Sequence, residues 1–270
     1  MSKRPYVIVH MMESVDGRID CAMTEQIDPT NSYYDALEQL GCDSQLMGRV
    51  TMQMHYAEAE PFHAADLAPI GEPASHKAAN GGYTVALDTL GRLRWGAREY
   101  DGRPLLVITS EDCPRAYHDE LSRQGVSWMA TGRGGIDLPD ALERLGCDFG
   151  VKRLAITGGG HVNGSLLAAG LVDEVSVMIG PGIDGRRDMT SVFDGIDDAS
   201  RPATLLRLCD VSRVGDTVWL RYSVRRLAQC STEQPRLDGF AIGPRLFSVV
   251  RPMRLLFIAA PSATCRLGGV

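Results

Sequence analysis

Apolar residues in this chain gather in short dense blocks: Tyr6 to Met12, Tyr83 to Leu87, Leu105 to Ile108, Val126 to Ala130, Leu154 to Ile156 and Val172 to Ile179. Such blocks, rich in Val, Ile and Leu, predict strands buried in a sheet. Ser44 to Met47 adds a short strand and Arg92 to Trp95 another. Between the blocks the spacing turns helical, over Tyr33 to Leu40, from Pro114 through Leu121, from Asp137 to Gly146, and at Leu166 to Ala169. Asp28 to Asn31 and Asp137 are start signals, Pro114 fits a first helical position, and Gly41, Gly146 and Gly170 stand where helices stop. Strand, helix, strand in repetition predicts an α/β fold with parallel pairing at its centre. Ala203 to Val211 and Thr217 to Val224 alternate and meet at Val214-Gly215-Asp216, which predicts a terminal antiparallel hairpin. Residues 57–82 have little periodicity and predict a long excursion with one helical turn.

The stretch from Val151 to Gly185 organises the rest. It runs strand, Gly158-Gly159-Gly160, helix, strand. A glycine loop feeding a helix start lets backbone N–H groups approach an anion such as a phosphate, and it serves equally as a bare tight turn. No Lys-Ser/Thr pair follows, so it is not a P-loop. Gly48-Arg49-Val50-Thr51, leading into a helical turn at Met52 to Tyr56, is a second strand end of this kind; its cation and hydroxyl suit phosphate oxygens, or form a surface arginine beside a capping threonine. Thr109 and Ser110 end another strand, for a ligand or for capping. Ser14-Val15-Asp16-Gly17 follows the first strand, as a turn or as a ligand loop at a strand's carboxyl end. His55, His63, His76 and Lys77 lie in or beside the excursion, for a substrate or for solvent; the histidine spacings match no metal motif.

Composition narrows the function. Hydrophobic residues make up 44%, charged residues 23%, and the net charge is −6, which argues against nucleic acid or an anionic membrane as the main partner. Seven cysteines without a C-x-x-C pair fit free thiols in a reducing cytoplasm. The apolar start is too short for a signal segment, and Val249 to Ala260, broken by Arg251, Pro252 and Arg254, is too short and charged for a membrane span. The compact pattern stops near Arg226; residues 228–270 predict a disordered or loosely attached arginine-containing tail.

Taken in order, Ser14-Val15-Asp16-Gly17, Gly48-Arg49-Val50-Thr51, Thr109-Ser110, Gly158-Gly159-Gly160 and Gly170-Leu171-Val172-Asp173-Glu174 with Pro181 resemble the dihydrofolate-reductase-like superfamily. The resemblance covers roughly residues 5–226 and is nearest to the reductase domain of the riboflavin-biosynthesis deaminase–reductase (RibD C-terminal domain) and its stand-alone relatives. It implies a mixed, mostly parallel central sheet flanked by helices, with residues 1–227 as one NADPH-binding reductase domain. It implies that Gly48, Arg49 and Thr51 hold the pyrophosphate and the adenosine 2′-phosphate, with Arg49 selecting NADPH. Thr109 and Ser110 resemble strand-end hydroxyls near the adenosine phosphate. Thr157, Gly158, Gly159, Gly160, His161 and Val162 resemble the loop and helix start along the pyrophosphate and nicotinamide ribose. Ser14 and Asp16 resemble the loop under the nicotinamide. Asp173 and Glu174 are read as structural, at a strand edge and a dimer interface.

Substrate-side features of the riboflavin enzymes are missing. Their glutamate before the glycines is Thr157 here, a D-x-P-x-L-T-x-R segment is replaced by Tyr56-Ala57-Glu58-Ala59-Glu60-Pro61, and no Gly-x-Ser-x-Trp follows the first loop. The resemblance implies a cytoplasmic homodimer that transfers a hydride from NADPH to a C=N or C=O of a small heterocyclic substrate, of the 5-amino-6-(5-phosphoribosylamino)uracil reductase type. Alternatives are a reductase of the same fold acting on a pterin, imine or carbonyl, and a non-catalytic nucleotide-binding protein. Asp16 and His10 are the candidate proton donors; a turn-stabilising aspartate and a hydrogen-bonded core histidine are their structural alternatives. No metal is expected.

Overall fold

The structure is a computed structural model, and it describes residues 3–28 and 30–225. The tail expected over 228–270 lies outside the described residues.

Eleven strands form one sheet in the order β10-β11-β9-β1-β8-β2-β4-β6-β7-β3, with β5 paired only to β6. They are β1 (Tyr6–Glu13), β2 (Ser44–Gly48), β3 (Ala74–His76), β4 (Thr84–Leu87), β5 (Glu99–Tyr100), β6 (Arg103–Thr109), β7 (Ser127–Ala130), β8 (Arg153–Gly158), β9 (Glu174–Ile179), β10 (Leu206–Val214) and β11 (Thr217–Val224). The run from β9 to β7 is parallel throughout. Antiparallel pairs close both ends: β11 on β9, β10 on β11, and β3 on β7. The helices are α1 (Cys21–Ile27), α2 (Ser32–Gln39), α3 (Arg49–His55), α4 (Arg115–Arg123), α5 (Leu138–Cys147) and α6 (Gly160–Ala168).

Alternation along each strand assigns two faces. Val7 and Val9 of β1, Leu46 of β2, Val85 of β4 and Leu154 and Ile156 of β8 pack with Leu142 and Leu145 of α5 and Leu166 of α6. The opposite face carries two separate cores. Ile8, Met12, Ala155, Met178 and Trp219 pack with Ala36 and Leu37 of α2. Met47, Ala86 and Val107 pack with Met52 of α3 and with Tyr117 and Leu121 of α4. The seam between these two cores positions the cavity described below.

The mixed sheet, the flanking helices and the terminal hairpin agree with expectation. Several local expectations do not. No helical turn forms within 57–82. Its backbone is instead tied to neighbouring chain: Glu58 N and Phe62 N donate to the carbonyls of Arg94 and Arg92, and Ile70 N to Cys113. The same bonds replace a strand at Arg92 to Trp95, where Leu93 N donates to Asp88 Oδ2 at 2.7 Å. Pro114 stands one place before the first helical residue of α4, and neither Ser110 nor Asp112 caps that helix. Asp173 and Glu174 stand at the start of β9, a strand covered within the sheet by β1 and β11. Asp173 takes both guanidinium nitrogens of Arg4 at 2.8 and 2.9 Å, and Glu174 pairs with Arg221.

Candidate functional site

The carboxyl ends of β2 and β8 deliver two helix starts side by side. Gly48 is the N-cap of α3 and Gly159 that of α6, and neither start has a side-chain cap. The first N–H groups of both helices are therefore left for another acceptor. Close packing joins them. A Cβ on Gly48 would come within 2.7 Å of Val162 Cγ2, and one on Gly158 within 2.8 Å of Thr51 Oγ1. Gly159 has φ +85° with open space where its Cβ would be, so both its conformation and the clearance above it depend on glycine. Arg49 is exposed and forms no ion pair among the described residues. His161 is exposed, with its ring against Gly195.

The loop after β1 closes on itself. Ser14 Oγ donates to Asp16 Oδ1 at 2.7 Å and accepts from Arg18 N at 3.1 Å, while Gly17 takes φ +81° at the turn. Asp16 also accepts from Asp184 N and Gly185 N, both at 2.9 Å, pinning this loop to the one after β9. The Ser14 hydroxyl and these N–H groups hold the Asp16 carboxyl far below the ordinary carboxylate range. These bonds give Asp16 the turn-stabilising role named as its structural alternative. His10 has the setting of its structural alternative. It is fully buried, with Nδ1 at 2.9 Å from Ser176 Oγ, Nε2 at 3.1 Å from Tyr33 O, and its ring stacked on Tyr33 at 4.5 Å. Burial lowers it to about 4, leaving a neutral core histidine that braces α2.

Thr109 and Ser110 end β6 as expected, but both side chains are fully buried and engaged. Thr109 Oγ1 lies 2.8 Å from His118 Nε2, and Ser110 Oγ donates to Thr89 O at 2.9 Å. Ser110 Oγ would have to give up its bond to Thr89 O to donate to a phosphate.

A cavity of about 370 Å³ opens at the seam between the two cores. Met12, Gln45, Met47 and Thr157 form its floor from β1, β2 and β8; Cys21, Thr24 and Glu25 of α1 and Tyr33, Tyr34 and Leu37 of α2 form one wall; Thr51, His55 and Tyr56 form the other. Thr51 and Thr157 link it to the glycine loops. Thr157 Oγ1 is buried without any hydrogen-bond partner among the described residues. An orphaned buried hydroxyl is disfavoured by about 1–3 kcal/mol unless water or a ligand satisfies it, and Thr157 lines a cavity open to both. Cys21 Sγ and His55 Nε2 approach to 3.7 Å across the mouth.

Sequence reading missed α1 and almost all of this wall. Asp20 before Cys21-Ala22-Met23-Thr24-Glu25-Gln26 is a helix start followed by good helix formers, and it was the available signal. Nothing local marks Gln45, Tyr34 or Tyr56 as neighbours.

Comparison with known proteins fits this geometry. Residues 5–220 match the RibD C-terminal domain family. The chain is similar to a 2,5-diamino-6-ribosylamino-4(3H)-pyrimidinone 5′-phosphate reductase of Methanothermobacter thermautotrophicus, 30% identical over 227 residues, 82% of this chain and 99% of that protein. A protein of the same name from Archaeoglobus fulgidus is 27% identical over 224 residues, 78% of this chain and 93% of the relative. In fold it is similar to a pyrimidine reductase-like protein of Corynebacterium diphtheriae (TM-score 0.62, 20% identity, 82% of this chain and 92% of that one). Acinetobacter baumannii RibD aligns with TM-score 0.57 and 18% identity over 83% of this chain and 59% of that one. Sheet order, paired glycine loops and a match over most of the described residues converge on one conclusion: the chain belongs to the RibD C-terminal domain family, a family of reductases.

Proposed function

We propose that the chain is an NADPH-dependent reductase that delivers a hydride to a C=N or C=O carbon of a small heterocyclic substrate. The observation that carries this reading is the junction of the two uncapped helix starts with the cavity, through Thr51 and Thr157. The residues present suit a dinucleotide phosphate. Free N–H groups in the first turns of α3 and α6, after Gly48 and Gly159, would receive the pyrophosphate, and Arg49 the adenosine 2′-phosphate. When bound, NADPH supplies the hydride. The chain supplies orientation and a sheltered cavity. Met12 and Met47 give it an apolar floor, Tyr33 and Tyr34 offer rings on one wall, and Thr157 Oγ1 offers a hydrogen bond to the ring held there.

The two curated relatives are named for a ribosylaminopyrimidinone phosphate. By extension this chain is a cytoplasmic reductase of riboflavin biosynthesis, and the relatives' names favour a diaminopyrimidinone over the 5-amino-6-(5-phosphoribosylamino)uracil expected from the sequence. Thr157 in place of the expected glutamate favours a second reading, a reductase of the same fold acting on another heterocycle. NADPH should raise the melting temperature, and absence of any shift would sink the cofactor assignment. With NADPH bound, loss of its absorbance on adding the pyrimidine phosphate supports the first substrate, and no loss favours the second.

We also propose a homodimer through the terminal hairpin. The register shift between Leu208 and Asp210 keeps Leu206, Leu208 and Val211 on one face of β10, where they are 36%, 53% and 55% exposed. An apolar edge strand of this kind is normally covered. Light scattering should report a dimer that Leu208→Asp with Val211→Asp converts to a monomer.

A further inference from the structure

The cavity has a charge of its own. Among the described residues that line it there is no Lys or Arg, while Glu25 and Asp28 both do. Glu25 is exposed on α1 and has no partner among the described residues. Asp28 Oδ1 accepts from Ser32 N at 3.0 Å, Ser32 Oγ at 2.8 Å and Thr30 Oγ1 at 3.2 Å, and Oδ2 accepts from Tyr33 N at 2.9 Å. Burial pushes its carboxyl up, but these bonds outweigh it and hold Asp28 below its ordinary value, hence ionised. No cation neutralises it there. Asp20, next to Cys21, is already paired with Arg186 at 2.6 Å. Near the far wall Arg103 acts on Tyr56, where Asp101, 2.6 Å from the Tyr56 hydroxyl, offsets it. The remaining lining is aromatic, thioether and neutral polar: Tyr33, Tyr34, Met12, Met47, Gln45 and Thr157.

Resting on the reading of this cavity as the substrate half of the site, we infer that it takes an uncharged or cationic ring system and no phosphate. A phosphate placed there would meet two carboxylates and, among the described lining residues, no Lys or Arg. A protonated or amino-bearing heterocycle would instead find carboxylates, tyrosine faces and the unpartnered Thr157 hydroxyl. Any phosphate on the substrate must project outside the cavity or be lacking.

Cys21, on the cavity wall, allows a test that needs neither substrate nor turnover. The intact protein is treated with a cationic and an anionic methanethiosulfonate, and modification of the Cys21 peptide is timed by mass spectrometry. Each rate is divided by that of exposed Cys147 in the same sample, which removes reagent reactivity and the bias of the whole protein's charge. The cationic reagent should be preferred about tenfold at Cys21. Glu25→Gln should reduce that preference several-fold. Equal rates, preference for the anion, or no labelling by either reagent would overturn the inference. Failure of NADPH to protect against heat would sink the proposed function while leaving the measured charge preference standing.

Discussion

The two halves of the candidate site are made of different material. The proposed cofactor half is main chain: helix starts at Gly48 and Gly159, where Cβ atoms added to Gly48 and Gly158 would collide with Val162 and Thr51. The substrate half is side chain: tyrosines, methionines and carboxylates from α1, α2 and α3 around a floor of three strands. Main chain offers the same N–H groups whatever residue follows, provided the backbone can approach. Side chains can be exchanged one at a time without moving the sheet. The first half suits a cofactor shared across a family, and the second suits substrates that differ between members.

The largest effect should come from breaking the main-chain half. A Cβ on Gly160 would lie 2.3 Å from the Ser191 carbonyl oxygen, which is backbone and cannot swing aside. Gly160→Val should lower unfolding free energy by several kcal/mol, on the order of 3 or more, and abolish thermal protection by NADPH. Retained protection would mean that the α6 start does not hold the cofactor.

Acid should loosen the side-chain half, because His10 braces α2 behind the cavity. The sign follows from linkage. His10 and His118 titrate at about 4 in the fold and at 6.5 when unfolded, so between these values the unfolded chain binds more protons. Their contribution is present above pH 6.5 and declines as the pH falls toward 4, and the loss amounts to about 3 kcal/mol for His10 alone at the acid limit. Urea midpoints measured from pH 7 down to 4.5 should fall, and His10→Gln should flatten the slope. A flat profile in the parent protein would contradict the buried neutral imidazole.

Removal of the free cation comes next. Arg49→Ala should weaken NADPH binding about 10- to 100-fold, the worth of one charge-assisted contact, and leave NADH binding unchanged. Equal losses for both would refute a 2′-phosphate role.

The smallest stability effect is expected at Thr157. Its hydroxyl has no partner to lose, so Thr157→Val should shift unfolding free energy by less than about 1 kcal/mol while lowering substrate turnover, with Thr157→Ser retaining it. A large loss of stability would show that the hydroxyl serves the fold instead.

This division of material also decides what the sequence could convey. β1, β6, β8 and β9 are dense apolar blocks, and the glycines at Gly48 and Gly158 to Gly160 stand out because a Cβ there would crowd its neighbours or, at Gly159, be strained by a positive φ. Position in a turn, however, does not reveal how a side chain is used. Asp16 and Ser14 look like reactive groups and instead fasten two loops. Thr109 and Ser110 sit at a strand end but turn their hydroxyls inward. The cavity was illegible because residues as far apart as Cys21, Gln45, Tyr56 and Thr157 share no local pattern, and only the register of β1, β8 and β2 brings them together.

The position of β1 has a consequence for how the protein comes into being. This first strand is bracketed by β8 and β9, whose residues are made more than half the described chain later, and the cluster under α2 also needs Trp219 of β11. A chain emerging from the ribosome therefore carries its opening hydrophobic segment unpartnered through most of its synthesis. Long-range parallel pairing of this kind forms slowly. Chaperone demand should centre on Tyr6–Glu13, and the cavity should be the last feature to become competent.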